Sequence, residues 1–189
     1  MNSIQYLAST ALSLYMMILM LRMWFQYCQA DFYNPISQGL VRITDPVLNP
    51  LRKTLPTIKN IDLSAPVFVF VLGFIKLPLL YILGGSWTAE AVSQNWGIYM
   101  LIGLFSVLHT FGEMLLYIIF FAAILSWFNR GNDLVSYLLY QLSEPVLAPL
   151  RKILPKTGMF DFSPMALAFI LLFANHLMYD LFPLLWALV

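Results

Sequence analysis

The chain has 189 residues, of which 61% are hydrophobic and 10% charged, with a formal net charge of +1. An ordinary soluble domain carries about 25% charge, and one of this length has no core large enough to hide so much apolar surface. The balance therefore marks an integral membrane protein and excludes a general affinity for nucleic acid or acidic partners. The single cysteine, Cys28, excludes an internal disulfide and a cysteine-rich metal site, and reads as a small apolar residue near a helix end.

In chain order, the first apolar stretch runs from about Ile4 to Trp24 with no charge before Arg22. It has no basic region ahead of it and no small-residue cleavage site behind it, so it is expected to stay in the membrane. Arg22 and Trp24 close it and read as interface anchors, the Arg snorkelling to the surface. A segment from about 34 to 56 follows, in which Ile36, Leu40, Ile43, Val47, Leu51 and Leu55 recur every three to four residues. That spacing describes an amphipathic stretch able to lie in the membrane interface. Pro46 suits a first helical position with Asp45 beside it. Pro50 falls one turn later, where its missing N–H is either tolerated or bends the helix. Arg52 and Lys53 sit in the last turn and read as contacts to lipid headgroups or a partner, and Pro56 stops the helix. Ser64 then caps a second span, about 64 to 83, which contains Lys76.

The remainder repeats this plan. A third span, about 98 to 127, contains His109 and Glu113 and ends at a third anchor, Trp127. A second amphipathic segment, about 133 to 155, carries Glu144, Pro145, Pro149, Arg151, Lys152 and Pro155. Ser163 caps a fourth span, about 163 to 188, with His176 and Asp180. The word Asp45-Pro46-Val47-Leu48-Asn49-Pro50-Leu51-Arg52-Lys53 returns 99 residues later as Glu144-Pro145-Val146-Leu147-Ala148-Pro149-Leu150-Arg151-Lys152, and Asp62-Leu63-Ser64 returns as Asp161-Phe162-Ser163. The expected fold is thus an all-α membrane protein: four transmembrane helices form two parallel-repeat hairpins, residues 1–96 and 97–189, each with an interfacial amphipathic segment. The basic residues Arg42, Arg52, Lys53, Lys59, Arg130, Arg151, Lys152 and Lys156 all lie between spans one and two or three and four. The loop from Gly84 to Gly97 holds only Glu90. Both amphipathic segments are therefore expected on the cytoplasmic side and both termini outside.

The strings Trp24 with Gln26, Asn34-Pro35, Thr44-Asp45-Pro46, Pro50-Leu51-Arg52, Pro56 and Asp62-Leu63-Ser64 resemble the YggT family, called YlmG in Gram-positive bacteria, with relatives in chloroplast membranes. The second copy is looser: Trp127-Phe128, Glu144-Pro145, Pro149-Leu150-Arg151, Pro155, Asp161 and Ser163. It has Glu144 in place of Asp45 and no counterpart of Asn34-Pro35. The resemblance covers almost the whole chain and implies a small inner-membrane protein of two duplicated units. It links the chain to osmotic and potassium homeostasis, to envelope or division functions, or to thylakoid assembly, without a molecular mechanism.

Five ionisable residues lie at bilayer depth, where charge is costly and marks a function by default. At about 1.5 Å per residue from the motif ends, Lys76, Glu113 and His176 lie roughly 18–21 Å deep, and Asp180 and His109 roughly 26–27 Å deep. An ion pair Lys76–Glu113 between spans two and three is expected, with His109 and Asp180 pairing between spans three and four and His176 nearby. Such pairs either lock helices together or line a polar track for an ion or proton. No phosphate-binding, nucleophile-elbow or metal-ligand word is present, so enzyme activity, cofactor and metal are not expected. Three readings stay open: an accessory or scaffold protein touching lipid and a membrane-protein partner or a second copy; a component of potassium or osmotic homeostasis; and a haem or cytochrome assembly factor.

Overall fold

A computed structural model describes residues 2–58, 60–85, 94–128, 133–154 and 161–189, with the side chains of 126–128 outside that description. Trp127, Arg130, Pro155 and Lys156, named above from the sequence, therefore fall outside the described side chains, as do Lys59 and Glu90.

The first span is helix α1, Ser3–Tyr27. Its start is a capping box: Asn2 accepts from the Gln5 N–H at 2.8 Å, and the Gln5 side chain accepts from the Asn2 N–H at 2.7 Å. Gln5 also donates to the Leu80 carbonyl at 2.8 Å, near the end of α3, Ser64–Leu83, so one side chain serves two antiparallel helix ends. Between these spans lies α2, Pro35–Arg52, which begins at an Asn34 cap and is followed by a small hairpin, β1 (Thr57–Ile58) and β2 (Ile61–Asp62). The third span is α4, Trp96–Phe128, and α5, Leu134–Ile153, is the second elbow helix. The fourth span is α6, Ser163–Leu181, and it is followed by a single turn, α7, Pro183–Trp186.

These elements bear out the all-α membrane architecture: α1, α3, α4 and α6 are each long and apolar enough to cross a bilayer. Two expectations are corrected. Pro46 does not open a helix; Pro46 and Pro50 lie inside α2, and Pro145 and Pro149 inside α5. The prolines of each pair are four residues apart, so both missing N–H groups fall on one face and the helix continues through them. The fourth span also stops earlier than its apolar run. Pro183 has no N–H and its ring crowds the carbonyl four residues back, so α6 ends at Leu181 and Phe182 leaves the helical region at φ −135°, ψ 59°. The chain then folds back and buries Trp186 against Phe105 and His109 of α4.

The spans pack unevenly. The α3–α4 crossing is the tightest because Gly73 and Gly103 let the backbones approach: a Cβ on Gly103 would stand 2.8 Å from the Phe70 carbonyl oxygen. The main core gathers where α1, α2, α3, α4 and α5 meet, around Met16, Leu19, Met20, Val69, Met114 and Leu142. By contrast, α6 is peripheral, with only Ser163 and Leu167 buried. Trp24 donates to the Leu142 carbonyl at 2.9 Å and Gln141 to the Gln29 carbonyl at 3.1 Å, which ties α5 of the second hairpin to the end of α1. Both elbows thus sit at the same end of the bundle.

Candidate functional site

The repeated word builds a clamp. Arg52, in the last turn of α2, donates through Nε to Asp62 Oδ2 at 2.7 Å and through Nη1 to Asp45 and Asn49, both at 3.3 Å. Asp45, Asn49 and Arg52 are spaced four and three apart, so they share one helix face. That face spans the stretch holding Pro46 and Pro50, so the charges hold together the two turns that the prolines weaken. Asp62, 2% exposed, uses its second oxygen to accept the Ser64 N–H at 3.0 Å. One guanidinium therefore braces the elbow helix and ties it to the start of the next span.

The second copy repeats the two carboxylate contacts and the serine bond, without the amide contact, since Ala148 stands where the first copy has Asn49. Arg151 reaches Asp161 Oδ2 at 2.8 Å and Glu144 Oε2 at 2.5 Å, and Asp161 Oδ1 accepts the Ser163 N–H at 2.9 Å. Burial pulls the Arg151 pKa down, but the bonds from Glu144 and Asp161 outweigh it and the net shift is upward. Burial alone would raise the Asp161 pKa; the Ser163 bonds and the Arg151 charge outweigh that and hold it below the usual value. The longer Glu144 replaces Asp45 and makes the shorter contact.

This geometry corrects two assignments. Arg52 and Arg151 spend their donors inside the protein, so of the basic pairs it is Lys53 and Lys152 that remain exposed for a headgroup or partner. Ser64 and Ser163 are first helical residues, not caps; the cap bonds come from Asp62 and Asp161. The signal was in the sequence, because Asp-x-Ser recurs at the same offset as the Arg.

The anchors also move inward. Trp24 is 6% exposed, stacked on Tyr27 and bonded to Leu142. Arg22, expected to snorkel, is 8% exposed with its guanidinium carbon 4.8 Å from the centre of the Phe32 ring.

The five intramembrane ionisable residues do not form the expected layers. Lys76, 5% exposed on α3, donates to Ser13 Oγ of α1 at 3.3 Å and to the main-chain oxygen of Val189. Among the described residues no ion pair joins it to Glu113. Glu113 instead lies 3.7 Å from His109 of its own helix, and the two line a lateral cavity of about 470 Å³ between α4 and α6 with Asn175 and Trp186. Trp186 donates to Asn175 Oδ1 at 2.8 Å and meets the His109 ring edge-to-face at 5.2 Å. Asp180 does not reach His109; His176 and Asp180 stand exposed on α6. Heights along a helix follow from residue counts, but the direction each side chain faces depends on how the helices turn against one another. Asn175 and Trp186 were not singled out from the sequence, where Asn175 reads as one polar residue beside His176.

Four apolar spans with two braced elbows define a multi-pass all-α membrane protein. The CCB3/YggT family model matches residues 1–83 and 101–182, one segment for each hairpin, and the chain belongs to that family. It is 47% identical over 170 residues to an uncharacterized protein of Haemophilus influenzae, covering 90% of this chain and 88% of the relative. It is 38% identical over 186 residues to an uncharacterized protein of Vibrio alginolyticus, covering 98% of each. It is also 37% identical over 175 residues to the uncharacterized protein YggT of Escherichia coli K12, covering 93% of this chain and 88% of the relative. No solved structure matches the chain.

Proposed function

We propose that this protein is a non-enzymatic accessory component of the bacterial inner membrane that binds a partner membrane protein through the outer face of α6. Its two elbows face the cytoplasm and both ends of the chain face the periplasm. The observation that carries the reading is the position of His176 and Asp180, exposed on a span whose other outward residues, such as Phe169 and Phe173, are apolar. An ionised side chain facing lipid at the bilayer centre costs on the order of 3 kcal/mol, falling toward the interface. A partner helix that answers both groups removes that cost. Exposed Arg42, Lys53 and Lys152 at the elbow end support the orientation.

Potassium or osmotic homeostasis is a setting in which such an accessory would serve. A cation path through this chain alone is the weaker reading. The buried Lys76 spends its donors on Ser13 and a Val189 oxygen of the same chain, which fits an internal tie between helices better than a track for ions. A haem role would need His109 and His176 to cooperate, yet one lines the cavity and the other stands on the outer face.

A photo-crosslinking residue in place of Phe173, introduced in native membranes, tests the proposal against the same residue in place of Leu14, an exposed position on α1. Protein adducts at 173 with only lipid adducts at 14 are expected. Lipid adducts alone at both would remove the partner.

A further inference from the structure

Arg22 has no use in the clamps. It sits in the last two turns of α1, and among the described residues its Nε and Nη1 are buried with no hydrogen-bond partner. The nearby carboxylates Asp45 and Asp62 are both held by Arg52, and among the described residues no ion pair reaches Arg22. Buried polar groups are as a rule partnered, and a buried guanidinium without an anion is costly. Arg22 opens onto a surface cleft of about 530 Å³ that it lines with Phe32, Gln38, Val41 and Arg42. Two guanidinium groups, one stacked on an aromatic ring and one exposed on α2, present a fork for a tetrahedral or planar anion.

The level of the cleft names the anion. Arg22 lies five residues before the end of α1, roughly 8 Å along the axis, which is the headgroup zone of the elbow-side leaflet. Phe32 and Val41 give the cleft an apolar wall beside the two cations, suited to glycerol and acyl carbons. We propose that this cleft binds the phosphodiester of an anionic phospholipid, with Arg22 as the buried anchor and Arg42 as the outer clamp.

Native mass spectrometry of the full chain in detergent tests this with three probes: phosphatidylglycerol, diacylglycerol of the same chains, and inorganic phosphate. Phosphatidylglycerol is expected to bind and to raise the melting temperature, and diacylglycerol to do neither. Arg22→Met should weaken phosphatidylglycerol binding about tenfold or more, and Arg42→Gln several-fold. Because Arg42 is exposed, its variant keeps the test open even if Arg22→Met folds poorly. In addition, Arg22→Met without lipid should melt no lower than the parent, since it removes an unpartnered buried cation. Undiminished binding in both variants would overturn the proposal, as would equal binding of diacylglycerol. Displacement of phosphatidylglycerol by millimolar inorganic phosphate would assign the cleft to the free anion and overturn the lipid.

Discussion

Arg52 and Arg151 occupy the same place in the two copies, yet their surroundings predict unequal weight. Asp62 is almost fully buried beside a half-buried Arg52, whereas Arg151, Glu144 and Asp161 are each about a third or more exposed. Removing Arg52 strands a buried carboxylate, so Arg52→Met should destabilise the protein by about 3 kcal/mol. Arg151→Met should cost under about 1 kcal/mol, because its pairs are screened by solvent. Thermal unfolding of both variants in the same detergent checks the order. The second clamp also has a pH signature. Because the Asp161 pKa is depressed, its contribution is fully present above the ordinary carboxylate range and fades as pH falls through the lowered folded value. Acidifying below about pH 4 should therefore loosen the link between α5 and α6, read as faster amide exchange at the start of α6. Burial pushes the Cys28 thiol up to about 12, so at neutral pH it should react with maleimide far more slowly than a free thiol.

At the level of elements, the α3–α4 crossing rests on glycine. Gly103→Ala pushes a methyl group onto the Phe70 carbonyl, a backbone atom that cannot swing aside, and should cost about 1–3 kcal/mol. The same change at Gly112, where nothing lies near, should be close to neutral, and the two melting curves compared decide the point. The spans themselves were legible in the sequence because a bilayer demands length and apolarity, both of which are local. The second span falls on Ser64–Leu83 as read, and the elbows begin and end within a few residues of the expected bounds. Prolines within the elbows misled because their cost is offset by a side-chain clamp, in which Arg52 holds Asp45 of its own helix and Asp62 beyond it. The fourth span overran because hydropathy continues past Pro183 while the helix does not. Lys76 and Glu113 share a height but face different neighbours, and no count along one chain gives that direction.

In the whole molecule the repeat is unequal. The first hairpin is buried against α4 on one side and the elbows on another, while α6 hangs at the edge with its polar pair uncovered. Two copies of one sequence plan have thus become a packed half and an open half, and the open half is the surface from which we derive the accessory role. The most direct test replaces both outward groups at once, as His176→Leu with Asp180→Leu. The account predicts that the isolated chain melts unchanged, because among the described residues neither one bonds to the rest of the bundle, while protein adducts at position 173 in native membranes disappear. A large loss of stability with the adducts retained would contradict it, since it would make those residues part of the bundle's own packing.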